Sequence, residues 1–260
     1  MDLDLAFARF GRWAASATLL VAAAAACSTT TASPPSSGQP VDAGGATEDE
    51  DSGIPAGGTQ CTAARKTHLV PIAKVSTGEV KVVSSADGVT TLYVDASAGG
   101  ATEAARSPRV YIQLTGERVD VNDNDAFTSA DWDLALKRVD IFTNGGDAGP
   151  GKGGAAMVSK DFDDVTAEDA DSAEIEAEKF FDEECVGRKD EAEFIITTFS
   201  GWYDYQVGGG PSVRPRVSFI VRGADGTSRY KVGIVSYTGK SDGSTDGPAT
   251  GRFILKVASL

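Results

Sequence analysis

Histidine is almost missing from this chain: 260 residues hold one, His68. A Ser-His-Asp triad would have to use it, and no Gly-x-Ser-x-Gly elbow accompanies it. His68 therefore reads as a surface residue at a strand entrance, and the chain as no enzyme. Acidic pairs such as Asp163-Asp164 are too common by chance in so acidic a sequence to argue for acid–base chemistry. Basic residues are also scarce, 24 against 38 acidic ones, for a net charge of −14. Phosphates would approach against that field, which excludes nucleic acid and an anionic membrane face as partners. A small, neutral or protein partner is expected instead.

A membrane-spanning run is lacking too. The uncharged stretch Ala14 to Ala26 is about half of the roughly 20 residues a spanning helix needs. It follows Arg9 and Arg12 and stops at small residues directly before Cys27. That is the three-part pattern of a cleaved signal peptide over residues 1–26, with Cys27 as the residue to carry lipid. Ala24 stands where a lipoprotein box usually has Leu or Val, so plain secretion with cleavage nearby stays open. Residues 28–60 contain no aromatic side chain and cannot build a core. They read as a disordered linker that would hold the lipidated end roughly 30 Å from a folded domain. An exported chain, lipid-anchored to the outer membrane or cell surface, is the expected localisation.

Cysteine is sparse, and once Cys27 is lipidated only Cys61 and Cys185 remain. In an oxidising compartment such a pair joins by default, with free thiols as the alternative. In the chain-entropy model so long a loop stabilises by about 5 kcal/mol.

The segment from Cys61 to Leu260 is long enough for one large domain with its own core. Its strand signals predict an antiparallel all-β fold. Val80–Ser84 and Thr91–Asp95 are rich in β-branched residues and flank Asp87-Gly88, the dipeptide of a tight hairpin. Val217–Arg222 and Tyr230–Tyr237 flank Asp225-Gly226 in the same way. Further strands are expected at Val110–Leu114, Ala135–Thr143, Phe194–Thr198 and Arg252–Val257. Acidic, Ala-rich Thr166–Glu184 is expected to hold a short helix. The Gly-rich stretch Asn144–Ala156 is not expected to form a regular element, and loops of that length are usually functional or mobile.

Local motifs are weak. Gly146 to Gly153 resembles a phosphate-binding loop but lacks the closing Ser or Thr and a following helix. Asp120 to Asp131 spaces oxygens like a calcium loop but lacks the central Gly and the final Glu, so an acidic surface turn is the simpler reading. Trp132 and the cluster Trp202-Tyr203-Asp204-Tyr205 can line a ligand pocket or fill a β core, and the core reading is preferred.

Taken in order, several blocks resemble the HmuY family of haem-binding surface lipoproteins. They are Asp131-Trp132-Asp133-Leu134-Ala135-Leu136-Lys137-Arg138, Asp140-Ile141-Phe142-Thr143-Asn144-Gly145-Gly146 and Gly151-Lys152-Gly153-Gly154-Ala155. Ser200-Gly201-Trp202-Tyr203 with Tyr205, Asp225-Gly226, Tyr230-Lys231-Val232, Ser236-Tyr237 and Gly251-Arg252-Phe253 continue the series. The resemblance covers nearly the whole stretch from Lys74 to the end. It implies an all-β fold with finger-like loops that hold haem or a related porphyrin, captured without catalysis and passed to an outer-membrane receptor.

The family ligates iron through histidine or methionine. With no histidine in the domain's loops, ligation by two histidines is out of reach unless His68 folds back, and the resemblance turns attention to Met157, the only methionine beyond the signal segment. A thioether suits reduced iron, although a Met filling an irregular edge is an equal reading. The ligand is then expected between the loop Asn144–Met157 and the segment around Cys185, which becomes a second sulfur donor only if it is unpaired. Lys152, Lys160 and Arg138 are candidates for the propionates by charge alone. A lipoprotein of the same fold that binds no haem and serves as an interaction or structural module is the rival reading.

Overall fold

The computed structural model describes residues 61–191, 193–206 and 210–260. The proposed signal, Cys27 and the linker therefore lie outside the described residues. In chain order the elements are α1 (Thr62–Leu69), β1 (Val80–Ala86), β2 (Val89–Asp95), β3 (Val110–Ile112), β4 (Arg118–Val119) and α2 (Asp123–Ala126). They continue with β5 (Leu134–Lys137), β6 (Asp140–Thr143), β7 (Gly154–Val158), α3 (Ala167–Ser172), β8 (Tyr203–Gln206) and β9 (Gly210–Val213). The chain closes with β10 (Ser218–Arg222), β11 (Arg229–Ser236) and β12 (Arg252–Ser259).

Every strand pairing among these elements is antiparallel. One sheet runs β1-β2-β12-β11-β10-β7, a second β4-β3-β5-β6, and β8-β9 form a separate ribbon. Alternation along the strands divides the interior. Leu134, Leu136 and Ile141 face Leu92, Phe219, Val232 and Phe253 of the large sheet in the main core. Ala135, Phe142 and Tyr111 point the other way, onto Leu69, Trp132, Phe180 and Phe181. Each such side chain, when fully buried, stabilises by about 1.5–3 kcal/mol.

Local chemistry explains several connections. Asp87 and Gly88 both take positive φ, 53° and 76°, which matches the twist of a two-residue hairpin between β1 and β2. The second Asp-Gly pair acts differently. It sits in the longer connection between β10 and β11, where the Asp225 carboxylate accepts from the backbone N–H of Thr227 and Ser228.

Three expectations fail. The segment Ala135–Thr143 is not one strand: Lys137 pairs with Asp140, and the chain reverses through Arg138 at φ 54°. No Gly or Asn announces that turn, because tertiary bonds hold it. The Arg138 guanidinium donates to the carbonyl and hydroxyl of Thr250, both at 3.0 Å. Phe194–Thr198 forms only an isolated bridge, Lys189 to Ile195. The Gly-rich stretch is neither loose nor wholly irregular, since Gly154–Val158 is a regular edge strand. Before it, Asn144 is fully buried; its amide donates to Ser129 and Trp132 carbonyls while its oxygen accepts from Gly151. A Cβ on Gly153 would lie 2.6 Å from the Asn144 carbonyl oxygen, so glycine here permits close packing.

The domain's first segment is fastened at three points. Eight residues make α1 too short to persist alone. Cys61 is bonded to Cys185, and Leu69 is buried. The Leu69 carbonyl accepts from the Arg109 guanidinium at 2.7 Å, and Arg109 is in turn paired with the fully buried Asp123. Asp123 thus corrects the reading of Asp120–Asp131 as a surface turn. Asn122 caps α2, its side chain accepting from the Asn124 and Asp125 N–H groups, and among the described residues no acidic, His or Cys cluster can hold a metal ion.

Candidate functional site

Residues between Cys185 and Tyr205 border three depressions. The first, about 530 Å³, is lined by His68, Phe181, Cys185, Gly187, Lys189 and Asp140. The second, about 270 Å³, runs from Asp140 and Asp190 to Trp202, Tyr203 and Tyr205. Asp140, Phe194 and Ile195 border both. The third, about 480 Å³, is a shallow groove between Ala155–Val158 of β7 and residues Glu174, Glu176, Thr197 and Thr198. Thr197 also borders the second cavity.

His68 is on α1, not at a strand entrance, and it folds back against Gly187. A Cβ there would meet the imidazole Nδ1 at 2.2 Å. Its ring leans on Phe181 at 5.2 Å, and Nε2 is buried without a partner among the described residues. Burial, then Lys189 and Arg109, lower its pKa, so the imidazole is neutral near pH 7. The three carboxylates of the second cavity differ in their ties. Asp204 is paired with Arg214, and Asp190 accepts from the Phe194 N–H. The carboxylate of Asp140, where β6 begins, has no hydrogen-bond or ion-pair partner among the described residues, and burial raises its pKa. Burial also pushes Tyr203 and Tyr237 up to about 12.

The aromatic cluster divides between the two roles considered for it. Trp202 and Trp132 are buried in the two cores, with the Trp202 indole N–H donating to the Val139 carbonyl at 3.0 Å. Tyr203 is partly buried, and Tyr205 stands 64% exposed on the ribbon.

The HmuY family model, described as HmuY protein, matches residues 105–250. The chain belongs to the HmuY family. The match is narrower than the Lys74–Leu260 span of the resemblance and leaves β1, β2 and β12 outside it, but it contains Met157 and most residues of the three depressions. No curated protein matches the chain.

On this HmuY fold the expected site residues are dispersed. Met157 lies on edge strand β7, 46% exposed, and lines the third groove. Its sulfur is 3.4 Å from where a Cβ on Gly201 would stand, at the border of the second cavity. Cys185 lines the first cavity and its sulfur is taken by Cys61, so the structure removes it as an iron ligand. Of the space expected between the loop Asn144–Met157 and the segment around Cys185, the Gly146–Asp147 part is packed against Glu178 and Phe180. A Cβ on Gly146 would meet the Glu178 carbonyl at 2.2 Å, and Asp147 accepts from the Phe180 N–H. Ala155, Ala156 and Met157, at the end of that loop, line the third groove.

The three basic candidates do not converge either. Lys152 and Lys160 flank opposite ends of five-residue β7, which at about 3.3 Å per residue sets them far apart. Lys160 is paired with Asp169 at 2.6 Å, and Arg138 is bound to Thr250. Asp140 stands in the sequence only within one of the family blocks. No local pattern marks it, because its two cavities are assembled from segments distant in sequence.

Proposed function

We propose that this HmuY-family chain binds haem or a related porphyrin without catalysing a reaction, as the captured cargo of an exported domain. Residues 1–26 are the signal, 27–60 a tether lipidated at Cys27, and 61–260 the binding domain, held at the outer membrane or cell surface and able to pass its cargo to a receptor. The observation that carries this reading is the family match over residues 105–250. Among the described residues no helix is long and apolar enough to cross a membrane.

Met157 is the proposed iron ligand. It is a long apolar side chain left in water beside a groove floored by Ala155 and Ala156, where a flat ring can approach the sulfur. Thioether sulfur prefers the softer, reduced iron. Lys160, at the same end of β7, is the best placed of the three basic residues for a propionate. Its exposed pair with Asp169 is weak enough to exchange. Glu174 and Glu176 beside the groove oppose propionates and favour the rival, a lipoprotein module of the same fold without haem.

Titrating haemin into the mature chain separates the two readings. A Soret shift that saturates supports capture, and its absence with well-folded protein supports the rival. Because Met157 is exposed, Met157→Ala perturbs packing little. It should weaken the dithionite-reduced complex on the order of tenfold, the scale of about 1.4 kcal/mol, and the oxidised complex less. Identical reduced spectra and affinities would leave Met157 as an edge residue only.

A further inference from the structure

The two cavities that meet at Asp140 are lined by four carboxylates, Asp140, Asp190, Asp204 and Glu193, against one ammonium, Lys189. Three of the four are engaged. Glu193 holds Lys189 at 3.0 Å, Asp204 pairs with Arg214 at 3.3 Å, and Asp190 accepts from the Phe194 N–H at 2.9 Å. Asp140 alone has no partner among the described residues, although it faces both cavities. The charged groups around it are Arg109 just before β3, Lys137 from β5 and Asp190 from the Cys185–Tyr205 segment. Arg109 is committed to Asp123 and to the Leu69 carbonyl. Lys137, 8% exposed and opposite Asp140 in the ladder, makes no ion pair with it.

A second, independent observation lies in the aromatic wall. Trp202 packs against Tyr203 at 4.7 Å and Tyr237 at 5.3 Å. Tyr237 backs this wall from the core and lines neither cavity. The hydroxyls of Tyr203 and Tyr205, which line the smaller cavity, have no hydrogen-bond partner among the described residues.

We propose that the cleft at Asp140 binds an organic cation bearing hydrogen-bond donors, a guanidinium or a primary ammonium. Aromatic faces attract such a cation, and a desolvated carboxylate supplies a charge-assisted acceptor. The net charge of −14 raises the local concentration of cations. The unmet acceptors select for N–H donors: a quaternary ammonium would satisfy the aromatic faces but leave the carboxylate and phenol oxygens unpaired. Asp140 and Tyr205 line neither side of the Met157 groove, so this site stands or falls apart from porphyrin binding.

The test titrates the mature chain with argininamide, with the blocked peptide acetyl-Gly-Arg-Gly-amide and with tetramethylammonium, read by calorimetry and by Trp fluorescence. At least one guanidinium probe should bind saturably, and tetramethylammonium at least about tenfold more weakly. Tighter peptide binding identifies an arginine of a protein partner as the source, and tighter argininamide binding a small molecule. Asp140→Asn should weaken the guanidinium probe by about tenfold or more. Tyr205→Ala, at an exposed position, should also weaken it with thermal unfolding unchanged. The proposal is overturned if neither guanidinium probe saturates, if tetramethylammonium binds as well, or if Asp140→Asn and folded Tyr205→Ala both bind like wild type.

Discussion

Glu178 ties the end of β6 to the wall of the Met157 groove, and it does so as a buried acid. Its side chain is 1% exposed. Its oxygens accept from the Thr143 N–H at 2.8 Å and hydroxyl at 3.1 Å, and from the N–H and hydroxyl of Thr198. Burial pushes the carboxyl up to about 7 from 4.5, while these four donors act against the rise. A folded-state pKa above the unfolded one means that the native state keeps a proton the unfolded chain has released. The resulting stabilisation is complete below about pH 4.5 and is lost as pH rises to about 7. At about 1.4 kcal/mol per pH unit, that window amounts to about 3 kcal/mol. Glu178→Gln removes the titration and turns an amide NH₂ toward groups that already donate, at a cost of about 1–3 kcal/mol. Urea unfolding of both proteins, disulfide intact, from about pH 4.5 to about 8 gives the stability difference directly. Wild type minus variant should shrink by about 3 kcal/mol across that range. Parallel curves would show that Glu178 keeps its ordinary acidity and that the four donors offset burial.

Asp123→Ala should be among the most damaging single changes. It strips the acceptor shared by Ile72 N–H, Arg109 N–H and guanidinium, and Tyr111 hydroxyl, leaving a buried cation alone. A loss of about 3–5 kcal/mol is expected, seen by calorimetry as a fall in Tm on the order of 10 °C; an unchanged Tm would mean that Arg109 finds other acceptors. For localisation, Cys27→Ser should shift the protein from the detergent phase to the aqueous phase, and unchanged partitioning would count against lipid at Cys27.

Much of the fold was legible where one residue's conformational preference decides local geometry. Asp87-Gly88 fits the positive φ angles of a tight turn by itself, and the β-branched runs on either side pair as expected. Legibility ended where distant groups supply the energy. Arg138 holds a left-handed turn because Thr250, 112 residues away, binds its guanidinium. Asn144 converts a glycine-rich stretch from a candidate mobile loop into packed structure through bonds to Ser129 and Trp132.

The candidate site divides in the same way. The ordered blocks were sufficient to place the chain in the HmuY family, because block order is a property of the string; Met157 was singled out by donor chemistry alone, as the one methionine after residue 1. Which donors share a cavity is a property of the sheets. Two-residue periodicity along β5 and β6 sends Lys137 and Asp140 to the same face, and the Cys185–Tyr205 segment covers that face with His68 and the tyrosines. Spacing along the chain carries no information about those approaches, so only the tertiary structure sets Asp140 in a cleft and Met157 in a separate groove.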